Sequence, residues 1–86
     1  MESNKLGRAI ARVRDQKKLT QYKLAVKTGW SNENDKQGLN PIAIHGIEHG
    51  EWAETIEHTN LIAKALGTTR DELLRIAETT KPYPYQ

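Results

Sequence analysis

A chain of 86 residues without cysteine makes one small domain that has no disulfide, thiolate metal site or cysteine nucleophile to draw on. Folding at this size buries only about 60% of the unfolded chain's surface, so the core is thin and packing or a partner chain must supply stability. The formal net charge of +2 hides an imbalance: residues 1–30 carry eight Lys/Arg against two acids, residues 31–60 one against six, and residues 61–86 four against three, which points the first third toward a polyanion.

Every patterned segment has apolar residues three and four apart, and none alternates as a half-buried strand would, so the expected fold class is all-α. A first helix is predicted from Asn4 to Lys17, with Leu6, Ile10 and Val13 on one face and Lys5, Arg8 and Arg12 largely elsewhere. Thr20 is placed to cap a short second helix, Gln21 to about Thr28, with Leu19 and Leu24 as its hydrophobic staple. Gly29 can stop that helix, and Ser31 to Gly38 is polar and unpatterned, which predicts a loop.

Asn40 followed by Pro41 is the strongest start signal in the chain, because Asn caps and Pro at the first helical position loses only an N–H that had no partner. The third helix is expected from Pro41 to about His49, stapled by Leu39 and Ile44 and stopped by Gly50. A fourth follows the Thr55 cap, is expected to bury Ile56, Ile62, Ala63 and Leu66, and stops at Gly67. A fifth opens on a capping box of Thr69 and Glu72 and offers Leu73, Leu74 and Ile76 to the core. The expected domain covers residues 1–78, and residues 79–86, with two prolines and two tyrosines, read as an extended tail.

Leu19-Thr20-Gln21 with Leu24-Ala25, Ile44 with Ile47-Glu48-His49-Gly50, Ile62 to Gly67, and Asp71-Glu72-Leu73-Leu74 together resemble the lambda-repressor-like, Cro/XRE family of helix-turn-helix domains. The match spans about residues 5–76. The resemblance implies a five-helix fold that binds double-stranded DNA as a two-fold homodimer and acts as a transcriptional regulator, with the third helix in the major groove. By the same resemblance Gln21 contacts phosphate or supports a base contact, Asn40, Pro41, Ile42, Ala43 and Gly46 occupy base-reading positions, and His49 falls where a backbone contact to phosphate is common. His45 is a further candidate on that helix, and Lys23 and Lys27 are candidate phosphate contacts on the second. Arg14 and Glu48 match a family pair that forms a partly buried salt bridge between the first and third helices.

The chain departs from the family in two places. The family's turn between the second and third helices is about four residues, whereas eleven residues, 29–39, lie here between Thr28 and Asn40. Gly29-Trp30 or Gly38-Leu39 can serve as the usual Gly-apolar turn, and Gly38-Leu39 flows more directly into the Asn40 cap. The insertion, residues 31–39, is either a DNA-reading finger using Lys36 and Gln37 or a solvated loop. The reading helix is also poor in hydrogen-bonding side chains, so Ile42 and Ala43 would pack on thymine methyls and Asn40 would pair with adenine. The next loop, Glu51-Trp52-Ala53-Glu54, has two carboxylates that would repel phosphate; Trp52 there reads either as a cover for the core or as a contact for a partner.

Competing classes are weaker or narrower. Two serines, no glycine-rich phosphate loop and no assembled triad argue against an enzyme. His45 and His49, four apart, with His58 beyond, lack a clearly spaced acidic third ligand, so no metal or other cofactor is expected. A protein-interaction module is the main rival; an antitoxin would join both uses, with the fold on DNA and the tail or insertion on a toxin chain. With no apolar run near the roughly 20 residues that cross a bilayer, the expectation is a cytoplasmic, nucleoid-associated protein without a membrane partner.

Overall fold

The computed structural model describes residues 5–53 and 55–79, which form five helices and no strand. They are α1 (Lys5–Gln16), α2 (Gln21–Lys27), α3 (Pro41–Glu48), α4 (Ile56–Ala65) and α5 (Arg70–Thr79). The expected start of the first helix at Asn4 lies outside the described residues, as do Glu54 and residues 80–86. Thr79, assigned above to the tail, is the last residue of α5.

Side-chain oxygens start four of the helices as their sequences require. Thr20 Oγ1 accepts from Lys23 N at 3.0 Å, Asn40 Oδ1 from Ala43 N at 2.8 Å, Thr55 Oγ1 from His58 N at 3.1 Å and Thr69 Oγ1 from Glu72 N at 3.1 Å. Each satisfies one backbone donor that the helix itself leaves without a partner. The box at Thr69 is one-sided, because the Glu72 carboxylate accepts from Arg75 one turn on. Gly50 and Gly67 close α3 and α4 in the left-handed region, at φ 77° each.

The core is one cluster from all five helices, with Ile10, Leu24, Ile44, Ile47, Ile62, Leu66 and Leu73 at its centre and Trp30 and Leu39 from the connection between α2 and α3. α1 packs on α3 and α5, α2 on α3 and α4, and α4 on α5. Gly7 sets the closest approach: a Cβ there would collide with the Ile47 carbonyl oxygen, so α1 and α3 touch backbone to backbone. The apolar face of α5 is used within the chain, where Leu73 is buried and Leu74 and Ile76 pack against the cluster. Ile56 departs from expectation and is exposed. It has the helical spacing of Thr59, Ala63 and Leu66, which are buried, but stands at the first position of α4.

Candidate nucleic-acid interface

The inner side of α3 is fixed by its last residue. Glu48 is 0% exposed, and its carboxylate accepts from Arg14 Nε at 2.6 Å, Arg14 Nη2 at 3.0 Å and Gln21 Nε2 at 2.9 Å. Arg14 also donates from Nη1 to the Leu19 carbonyl at 2.8 Å, which ties the turn before α2 to the same point. The forked guanidinium meets the carboxylate through two nitrogens, the geometry that makes such a pair strong and directional. α1, α2 and α3 are therefore locked together by one buried anion. The expected Arg14–Glu48 pair is present, and Gln21, expected to contact phosphate or support a base contact, gives its amide to Glu48.

The outer side of α3 presents Ile42, His45 and His49, spaced three and four apart on one face. Ile42 is 68% exposed. The imidazoles of His45 and His49 lie with centroids 4.2 Å apart, tilted by 32°, and among the described residues no three His, Cys, Asp or Glu side chains gather as a metal site would need. Pro41 is half-buried at the first helical position, and Asn40 uses its side-chain oxygen as the cap. Ala43 is buried in the core. It follows that Ala43, expected at a base, has no exposed methyl to offer.

Gly46 is also withdrawn from the surface, for a different reason. The indole of Trp52 lies over it so closely that a Cβ at position 46 would clash with the ring. The chain reaches this place by folding back after α3, with the amides of Glu51 and Trp52 both donating to the Gly46 carbonyl at 2.8 and 3.1 Å. Trp52 remains 46% exposed, so it is at once a cover for α3 and part of the outer surface. The sequence signal for this contact is the glycine inside a short helix, followed six residues later by a tryptophan in a tight turn.

The connection between α2 and α3 is more ordered than an unpatterned stretch implies. Gly29 and Gly38 both have positive φ, 108° and 69°, and Trp30 and Leu39 are both buried, so each of the two Gly-apolar pairs enters the core. Thr28 closes the neck: its hydroxyl donates to Ala25 O at 2.6 Å and accepts from Leu39 N at 2.9 Å. A Cβ at Gly38 would stand 2.7 Å from Thr28 O and Trp30 N, so the returning strand of chain runs against the departing one. Between these points Trp30 Nε1 donates to Asp35 Oδ1 at 2.9 Å, Tyr22 meets the Trp30 ring edge-on at 5.6 Å, and Asn34 bonds Ser31 and Gln37. Residues 32–37 are exposed. Lys36 is thus at the surface, and Gln37 is held by Asn34 through its side-chain oxygen.

Lys23 and Lys27 are exposed on α2, one turn apart. Lys27 also borders an open cleft with Thr28, Gly29, Leu61, Lys64 and Ala65, which brings a second ammonium group from α4 beside it. The candidate interface therefore consists of an apolar and imidazole face on α3, a tryptophan beside it, an exposed polar loop and lysines on α2. No model of a known protein family matches the chain, and no curated protein matches it in sequence.

Proposed function

We propose that the chain is a sequence-specific double-stranded DNA-binding domain of the lambda-repressor-like, Cro/XRE kind, acting as a transcriptional regulator in the cytoplasm and binding as a homodimer. The observation that supports this reading is the two-sided construction of α3. Its inner side is held to α1 and α2 through Glu48, while Ile42, His45 and His49 face outward. A helix that reads base edges must be presented rigidly, because groove contacts lose their selectivity if the helix rocks. Lys23 and Lys27 supply charge for phosphates, and α3 supplies the sequence-reading surface.

Selection from random duplexes at low salt tests this directly. The expected result is a short operator with two half-sites about one helical turn apart, bound by a dimer. The logarithm of affinity should fall with the logarithm of salt by about 0.9 per phosphate neutralised, and Lys23→Ala or Lys27→Ala should each lower that slope by about one. A pool from which no duplex is retained at low salt refutes the reading.

A protein partner, including the toxin of an antitoxin pair, is the second reading. It is favoured by the exposure of Ile42, Trp52 and Ile56 and by the exposed acid Glu51 next to Trp52. A complex made through these side chains would weaken little with salt and would be lost in Trp52→Ala.

A further inference from the structure

Resting on the DNA-binding reading, we infer that α3 selects its site through the 5-methyl group of a pyrimidine, with Ile42 as the residue that detects it. Three structural facts narrow the choice of apolar or bidentate contacts along the helix. Ala43 is buried, Gly46 lies beneath the Trp52 indole, and the Asn40 side-chain oxygen accepts from Ala43 N. Ile42 then remains as the most exposed large apolar residue of the chain's described surface, in the first turn of α3, where a major-groove helix brings side chains nearest to base edges.

A branched alkyl side chain has no hydrogen-bonding capacity, so it cannot distinguish purine edges by their donors and acceptors. The apolar feature that the major groove offers is the methyl at C5 of thymine, which 5-methylcytosine carries as well. His45, one turn on along the same face, adds a donor or acceptor. The recognised unit is therefore a 5-methylpyrimidine, and methylation of a cytosine at that position creates the same contact. Discrimination is modest per contact: burying one methyl corresponds to about a three- to fourfold change in affinity, and a two-fold dimer applies it twice.

The test uses the selected operator in fluorescence anisotropy at fixed salt, with the wild-type chain and Ile42→Ala. Each thymine is replaced in turn by deoxyuridine, which deletes only the methyl, and then by 5-methylcytosine paired with guanine. The expected result is one thymine per half-site at which deoxyuridine weakens wild-type binding about three- to fourfold, and the same replacement has no effect on Ile42→Ala. At that position 5-methylcytosine should bind the wild type better than cytosine by a similar factor. Deoxyuridine that is silent at every position, or that costs the variant as much as the wild type, overturns the inference while leaving DNA binding intact. A chain that retains no duplex at all overturns both. Because Ile42 is largely exposed, Ile42→Ala should melt within a few degrees of the wild type, which separates loss of the methyl contact from loss of the fold.

Discussion

Replacing Glu48 by alanine removes the acceptor for three hydrogen bonds and takes the facing carboxylate from the Arg14 guanidinium, whose side chain is only 16% exposed. Breaking a buried pair from one side costs about 3–5 kcal/mol, because the remaining charge stays desolvated. A domain of 86 residues has a total stability of about 4–13 kcal/mol at typical per-residue values. The substitution should therefore consume about a quarter or more of the total and lower the melting temperature by at least about 12 °C. Glu48→Gln should be nearly as damaging, since its amide places a donor against the donors of Arg14 and Gln21. The double variant Arg14→Met/Glu48→Met removes both charges and fills the volume, and should return to within about 1 kcal/mol of the wild type or exceed it. Urea unfolding followed by tryptophan fluorescence and far-ultraviolet circular dichroism gives these values, provided the slope against urea is unchanged. A Glu48→Ala penalty below about 1 kcal/mol, the value of an exposed pair, would refute the reasoning.

Gly7→Ala should destabilise by about 3 kcal/mol or prevent folding, because the added methyl meets the Ile47 backbone; Gly67→Ala, at φ 77° with open space around it, should cost only about 1–2 kcal/mol, and calorimetry that reverses this order would contradict the packing of α1 on α3. Trp30→Ala should cost about 3–5 kcal/mol in urea unfolding while Glu33→Ala on the exposed part of the same loop stays within about 0.5 kcal/mol, whereas equal effects would mean that the loop is not anchored. Thr28→Val should cost about 1–3 kcal/mol and speed hydrogen exchange at the Leu39 amide, which loses its acceptor; Thr28→Ser should preserve both stability and protection.

The parts of this molecule that could be read from its sequence are those decided by neighbours in the chain. Thr20, Asn40, Thr55 and Thr69 cap helices because the bond spans three residues, and such a pattern is visible without knowing the fold. The Arg14–Glu48 pair, 34 residues apart, was legible only through resemblance to a family. Local pattern could not choose between Gly29-Trp30 and Gly38-Leu39, since both present a glycine and an apolar residue. The choice dissolves in the structure because Thr28 bonds Leu39 across 11 positions and both apolar residues are buried.

The candidate interface was less legible than the fold for a similar reason. Helical spacing places Ile42, Ala43 and Gly46 near one another, yet whether each reaches solvent depends on what packs against the helix. The core takes Ala43, and a tryptophan from beyond α3 takes Gly46. Gln21 is at the expected start of α2, but Glu48 decides where its amide points. Ile56 has the spacing of a core residue, yet at the first position of α4 it is exposed.

The neck at Thr28 and Leu39 makes the join between α2 and α3 independent of how much chain is hung from it. The two helices meet through a hydroxyl and a backbone amide, so the segment beyond acts as a side branch on a continuous scaffold. Closure entropy rises by only about 0.6 kcal/mol for each doubling of loop length. Residues 32–37 can then be exchanged for longer peptides, such as an epitope or a second binding segment, with Trp30 and Leu39 kept as the two anchors and an acceptor retained at the place of Asp35 for the Trp30 indole N–H. In engineering terms the loop is a docking port whose cargo can change while the geometry of the helix pair stays fixed.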